Sequence, residues 1–327
     1  MFPTSTQRKH WMFSGEDDLK KLREKANKKY VDGFGEHLNE EERSEKFLSP
    51  TEEYVLLRFY INALREFCVQ FQPPMPKYVI GTSMMYFRRF YLNNSIMDYH
   101  PKDIMLTCVY LGCKVEEFNV SIMQFVKNLK SNREKMTDMI LSYELLLMHE
   151  LTYHLTVHNP YRPLEGLVID IKTRCKSLKP EEVDRSRQGA DEFLDRVLQT
   201  DAALLYAPSQ IALSALLSSA SKLGINLDSY ATEFILGSGT KEQAAKTTEN
   251  IKSIRYMVKH IPPLDKKEGK KIGQKLEKCR NQENNPDSEV FKRKQQEMLD
   301  DEDEVYSRKK QKISQEEKDA EKELLGL

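Results

Sequence analysis

The run "IMLTCVYLGC", Ile104 to Cys113, carries no charged residue and no face that could meet water. A helix that is apolar on every side has to be enclosed by other elements of the same domain. Pro101 opens this segment, at the position where a helix tolerates proline best. Lys114 follows it directly, then Glu116 and Glu117, so the enclosed helix reaches the surface at a lysine and an acidic pair. Whatever the chain folds into, it must surround this segment and leave its C-terminal end accessible.

The surrounding pattern is helical. "SPTEEYVLLRFYINALREFCVQF" starts with Ser49 as N-cap, Pro50 at the first helical position and acids in the first turn. "YVIGTSMMYFRRFYLNN" gives a second helix, the Pro101 segment a third, "SIMQFVKNL" a short fourth and "TDMILSYELLLMHEL" a fifth. Few segments alternate polar and apolar residues at period two, so no sheet is expected. An offset of 107 residues pairs Pro101 with Pro208, Ile104 with Ile211, Cys108 with Ala215 and Cys113 with Ala220. "YAPSQIALSALLSSASK" is thus a second enclosed helix, flanked by helical segments over 163–175, 189–205, 227–236 and 244–261. Five helices repeat as five helices, the mark of a duplicated unit.

Around the repeats, "GEDDLKKLREKANKKY" predicts an amphipathic helix with Ser14 as N-cap and Leu19, Leu22 and Ala26 on one stripe. A Glu-rich loop is expected from there to about Glu45. The resulting plan is an N-terminal extension (1–45), a first repeat (46–157), a second repeat (158–262), a charged C-terminal helix (263–299) and a tail of opposite charge blocks (300–327). The tail has little to bury and is expected to lack fixed structure.

Composition narrows the chemistry. The 51 basic and 51 acidic residues cancel, which argues against a chain held to nucleic acid by bulk positive charge. The five cysteines form no close pair, so neither a zinc site nor a disulfide framework is expected, and most are placed like small core residues. The N-terminus lacks a signal-peptide core, and no apolar run approaches the roughly 20 residues of a membrane span. There is no phosphate-binding loop and no hydrolase nucleophile elbow. "DGFG" (32–35) looks like a kinase metal motif but lies in a polar loop, and the seven histidines show no metal spacing. No catalytic, cofactor-binding or metal-ligating residue is therefore assigned.

Lys114 and Glu144 stand out. Each is a charge at the edge of a strongly apolar helix, Glu144 inside "SYELLLM". Lysines often snorkel out of buried helices without further role. The two charges either pair with each other or offer a donor and an acceptor to a partner's backbone.

The duplicated helices, with "LGCKVEE" and "YELLL", resemble the cyclins. The runs "STQRKHWMF", "YFRRFYLNN", "CKVEEFNVS", "HNPYRPLEG", "IDIKTR" and "PSQIAL" are similar to the cyclins of CDK-activating kinases, over residues 4–262. The resemblance implies an all-α fold of tandem five-helix cyclin boxes flanked by N- and C-terminal helices. It also implies that Lys114 and Glu144 hydrogen-bond main-chain groups beside the mobile helix of a cyclin-dependent kinase, with Leu111, Val115, Met148 and Tyr153 supplying apolar contacts. The anchors occur once, since Ser221 and Ile251 occupy the offset positions. Two cell-cycle features are missing: the "MRAIL" docking patch reads "TEEYVLLRF", and Arg88 stands where a core Arg–Asp pair has its aspartate. The implied partners are the kinase subunit of the CDK-activating type, a RING-containing assembly subunit and, through the complex, the TFIIH core. No direct nucleic-acid or membrane partner is implied. The implied setting is the nucleus, with "RKKQK" (308–312) as an import patch or a solvated charge run. The rival reading is a DNA-binding transcription factor of the TFIIB kind, which the neutral charge and missing cysteine pairs disfavour.

Overall fold

The computed structural model describes residues 2–130, 132–175, 178–237, 239–294, 296–297 and 309. The tail from 300 and the basic run 308–312 lie outside the described residues, Lys309 excepted. Among the described residues there is no strand. The N-terminal part holds α1 (Thr6–His10), α2 (Glu16–Phe34) and α3 (Glu40–Lys46). The first repeat is α4 (Pro50–Gln70), α5 (Lys77–Asn93), α6 (Pro101–Val115), α7 (Ile122–Lys127) and α8 (Arg133–Glu150). The second is α9 (Tyr161–Arg174), α10 (Pro180–Val197), the single turn α11 (Ala202–Leu205), α12 (Pro208–Lys222), a π-helical stretch (Tyr230–Leu236) and α13 (Lys241–Lys259). Helix α14 (Lys266–Cys279) follows.

Helix starts are where side chains satisfy the orphan amides of a first turn. Ser49 Oγ accepts from Glu52 N at 3.2 Å while Glu52 Oε2 accepts from Ser49 N at 2.9 Å, a reciprocal capping box ahead of Pro50. The expected loop before Glu45 instead contains α3, because Asn39 and Glu42 form a second such box. Gly15, not Ser14, occupies the cap position of α2, and Glu16, Asp17 and Asp18 complement its dipole.

The two enclosed helices sit at the centres of two cores. Helix α6 is packed between α4, α5 and α8, and α12 between α9, α10 and α13. Cys108, Cys113, Ala215 and Ala220 are all buried, as the offset requires. The duplication extends to the backbone. Glu117 (φ 58°) and Gly224 (φ 69°), 107 residues apart, are the left-handed residues ending α6 and α12. Each is followed by the same return bond, Phe118 N to Cys113 O and Ile225 N to Ala220 O, both 2.9 Å. The close helix crossings are reciprocal. A Cβ on Gly112 of α6 would collide with the Ser83 hydroxyl of α5, whereas in the second repeat a Cβ on Gly189 of α10 would collide with the Ser219 hydroxyl of α12.

Three further sequence expectations change. The segment 189–205 is not one helix: α10 begins at Pro180 and ends at Val197, and residues 198–201 turn so that Asp201 points inward. The C-terminal helix expected over 263–299 is not continuous: α14 stops at Cys279, and helix resumes only at 289–294. Asn281 N donates to Met97 O at 2.7 Å, and the Asn281 and Asn284 amides both bond Asp98, which pulls the chain off the helical path. Arg88 is not left alone. It is 3% exposed and its Nε lies 3.3 Å from Asp201 Oδ1. Asp201 Oδ2 also accepts from Arg23 of α2 at 2.9 Å and from the Tyr54 hydroxyl of α4 at 3.3 Å. Burial pushes the Arg88 guanidinium down, and Asp201 pulls it back up.

Both features are testable by chemical denaturation. Asp201→Ala leaves a buried guanidinium without its carboxylate and should cost about 3–5 kcal/mol; a loss below about 1 kcal/mol would mean that the ion pair does not join the repeats. Gly112→Ala should cost about 1–3 kcal/mol by overpacking, with Ser83→Ala in the same chain recovering most of it. A double variant no more stable than Gly112→Ala alone contradicts the knob-and-hole account.

Candidate functional site

Helix α8 buries Met136, Met139, Ile140, Tyr143 and Leu147, a stripe at three- and four-residue spacing. The opposite side is apolar too: Leu141 is 45% and Leu145 63% exposed, and Met148 is half-buried. Glu144 lies within this outer face. Across from it, α6 delivers Lys114 at its last turn. Lys114 Nζ donates to both Glu144 oxygens, at 2.6 and 2.8 Å, and sits 4.7 Å from the centre of the Tyr110 ring. The side chains are 45% and 15% exposed respectively. The two charges therefore pair with each other in the unbound chain at the surface, the lysine open to solvent and the glutamate largely covered.

With its lysine open to solvent, the pair is screened on one side and is a modest source of stability. Its value lies in what it presents. Glu144 is an acceptor with spare lone pairs and Lys114 a donor with a spare proton, both in an apolar setting. An apolar patch carrying a few positioned charges is what a protein-docking surface requires.

The other four expected residues divide. Met148 and Val115 are half-buried beside the pair, and Tyr153 is 58% exposed beyond the end of α8. Leu111 is only 2% exposed and belongs to the first core, so it backs the surface instead of contributing to it. Leu111 and Val115 share one face of α6, and what separates them is depth: Val115 is the last residue of the helix and Leu111 lies one turn further in. Leu141 and Leu145, together with Met123 of α7, 61% exposed, are exposed apolar residues that the sequence reading did not single out. A signal for Leu145 existed: three consecutive leucines in a helix span about 200° and cannot all face one core.

The exit from α8 is held in an unusual conformation. Thr152 (φ 50°) and Tyr153 (φ 56°) are both left-handed, at about 1–2 kcal/mol each for residues with a Cβ. Tyr153 N returns to Met148 O at 2.9 Å. Arg89 Nη1 donates to His154 O at 3.0 Å, and the Tyr86 hydroxyl donates to Leu155 O. Both come from α5, where Arg89 is fully buried and its guanidinium pushed down to about 9 by desolvation. Trp11 covers Arg89 at 5.0 Å and donates its Nε1 proton to His154 Nδ1 at 3.2 Å. Strain sustained this way tends to mark a working surface. At the base of α6, Thr82 donates to Glu116, and the Asn159 amide donates to Thr82 Oγ1 at 2.9 Å. In the second repeat the offset positions hold exposed Ser221 and buried Ile251, with no ion pair.

Comparison with known proteins agrees with this architecture. Residues 41–156 match the model of the cyclin N-terminal domain, and residues 159–259 that of the cyclin C-terminal domain. The chain is 47% identical over 288 residues to cyclin-H of Xenopus laevis, covering 86% of this chain and 88% of that one. It is 31% identical to cyclin-H1-1 of Arabidopsis thaliana, covering 85% and 88%. Among solved structures, a chain of the CAK complex from Chaetomium thermophilum, bound to ATP-γ-S, superposes with a TM-score of 0.77 at 28% identity, covering 91% of this chain and 94% of that one. A chain of the yeast TFIIK complex (Kin28/Ccl1/Tfb3) shares the fold, with a TM-score of 0.56 at 24% identity over 78% and 99%. With two family models together spanning most of its length and close likeness to cyclin-H, the chain belongs to the cyclin family.

Proposed function

We propose that the chain is the regulatory subunit of a cyclin-dependent kinase of the CDK-activating type, docking through the face built around Lys114 and Glu144. The observation that carries this reading is a surface Lys–Glu pair, its lysine open to solvent, set among exposed Leu141 and Leu145, in a chain similar to one found in a CAK complex. The pair opens toward the partner: Glu144 accepts from, and Lys114 donates to, main-chain groups flanking the kinase's mobile helix. Leu145, Met148, Val115 and Tyr153 supply the apolar contact.

Activation follows from differential binding. A surface that fits the active position of the kinase helix better than the inactive one shifts the kinase toward activity by that difference. Correct placement of that helix completes the Lys–Glu pair of the kinase's ATP site. The cyclin contributes no catalytic group, and its partner phosphorylates activation loops of other cyclin-dependent kinases and the C-terminal repeats of RNA polymerase II. A RING-containing subunit completing the complex, its attachment to the TFIIH core and residence in the nucleus belong to the same proposal, supported by likeness to cyclin-H and to TFIIK.

Lys114→Ala combined with Glu144→Ala should weaken binding to the kinase subunit by about 2–5 kcal/mol, measured by titration calorimetry. Activation in a peptide-phosphorylation assay should fall in parallel while helicity by circular dichroism stays unchanged. Unaltered affinity in a folded double variant would rule the face out. Leu145→Asp should act in the same direction, and Leu111→Met, a near volume-conserving core change, should leave affinity intact.

A further inference from the structure

The second repeat carries an open groove of about 440 Å³ between the end of α12, the following loop and α13. Its walls are the positions of the second repeat that match the candidate docking face of the first. At the 107-residue offset, Lys114 becomes Ser221, Glu144 becomes Ile251, Leu145 becomes Lys252, Met148 becomes Arg255 and Tyr110 becomes Leu217, and each of these second-repeat residues lines the groove. The correspondence is structural as well as numerical. Leu147 and Ile254 are both fully buried, and α6 and α12 end in the same left-handed turn.

The groove exists because filling residues were exchanged. In the first repeat the Tyr110 and Phe125 rings meet edge to face at 5.4 Å and close the space between α6 and α7. In the second, Leu217 replaces the tyrosine, and the π-helical stretch Tyr230–Leu236 replaces α7 and brings only Ala231 to the groove. Its chemistry is changed too. Ile251 has no carboxylate to accept from a partner's backbone, so the groove cannot repeat the kinase anchor. It offers an apolar floor of Leu213, Leu217 and Ile251 with Lys252 and Arg255 on the α13 rim, against the one carboxylate of Asp228. Arg255 is steadied by donating its Nε proton to Ser218 Oγ at 2.9 Å.

We propose that this groove is a second docking site, which takes a short amphipathic helix from a partner protein, with apolar side chains on the floor and carboxylates against Lys252 and Arg255. Volume, apolar floor and charged rim suit the helix-in-groove mode of recognition. The small Ser221 at the mouth, in place of a lysine, lets a helix backbone approach closely. The assignment of a docking role borrows from the reading of the first repeat, so its test keeps the two faces apart.

The probe is a side-chain-bridged helical peptide with leucines at i, i+4 and i+7 and glutamates elsewhere, matched by a peptide with lysines in place of the glutamates. Binding to the full chain is followed by fluorescence anisotropy. Two variants at exposed positions challenge the groove: Ser221→Trp occupies it and Lys252→Glu reverses its rim. The glutamate peptide should bind at least about tenfold more tightly than the lysine peptide, and each variant should weaken it at least about tenfold, or 1.4 kcal/mol. Lys114→Ala with Glu144→Ala should leave peptide binding unchanged, and Ser221→Trp should leave kinase activation unchanged. Equal binding of the two peptides, or binding that survives both variants, overturns the proposal. So does peptide binding lost with the Lys114 and Glu144 substitutions. A concentration-dependent dimer abolished by Ser221→Trp would assign the groove to a second copy of the chain and overturns it equally.

Discussion

One carboxylate joins the parts of this molecule. Asp201, in the turn between α10 and α11, faces Arg88 of the first repeat, Arg23 of the N-terminal helix and the Tyr54 hydroxyl of α4. The guanidinium of Arg23 also lies 4.8 Å from the Tyr54 ring centre. Two desolvated cations share one anion, so neither can leave without exposing the other to an uncompensated environment. The orientation of the second repeat and of α2 against the first is thereby tied to one buried network rather than to apolar contact alone, which is less directional. Tyr30 extends the tie, its hydroxyl donating to Cys279 O at 2.8 Å and joining the far end of α2 to α14.

Helix α5 transmits this constraint to the docking face. It is buried from Val79 to Leu92, and its consecutive arginines point in different directions. Arg88 goes to Asp201, while Arg89 goes to the carbonyl of His154 beneath the Trp11 ring. The same helix thus fixes the joint between repeats and the strained exit of α8 on which Tyr153 stands. The N-terminal extension reaches both of these contacts, through Arg23 at Asp201 and through Trp11 at Arg89. In the proposed docking, its contribution is to hold the exit of α8 in place, although the pair Lys114–Glu144 lies on other elements.

What the sequence disclosed follows from what is local. Enclosed α6 and α12, their prolines, the Ser49 cap and the 107-residue offset are written in short windows, and the chain folds accordingly. Lys114 and Glu144 were legible for the same reason, as charges set against apolar runs. The partner of Arg88 was not, because Asp201 lies 113 residues on and nothing periodic marks it. The end of α14 at Cys279 had a local signal that the charge pattern overshadowed: residues 280–287 read RNQENNPD, and asparagines followed by Pro286 break a helix. Bonds to Asp98 and Met97 then fix where the chain turns away. The burial of Leu111 was not legible because it shares a face with Val115 and differs from it only in depth along the helix. Tertiary contacts, not propensity, settle such positions.

The segment after Cys279 also bears on the docking role proposed for the Lys114–Glu144 pair. After Cys279 the chain runs along α8: the Tyr143 hydroxyl donates to Asn284 O at 2.8 Å, and Lys135 pairs with Asp287. Tyr143 precedes Glu144, and Lys135 lies in the first turn of α8. The helix is therefore clamped near its start and middle by the C-terminal segment and at its exit by Arg89 and Tyr86 of α5. Between these clamps, its outer face with Leu141, Glu144 and Leu145 is left uncovered. A surface pair adds little to folding free energy, but on a helix held at both ends it loses little freedom when a partner arrives. Binding energy is then not consumed in ordering the face that makes the contact. The flanking extensions, which meet the docking face only from behind, are in this view the parts that make Lys114 and Glu144 effective.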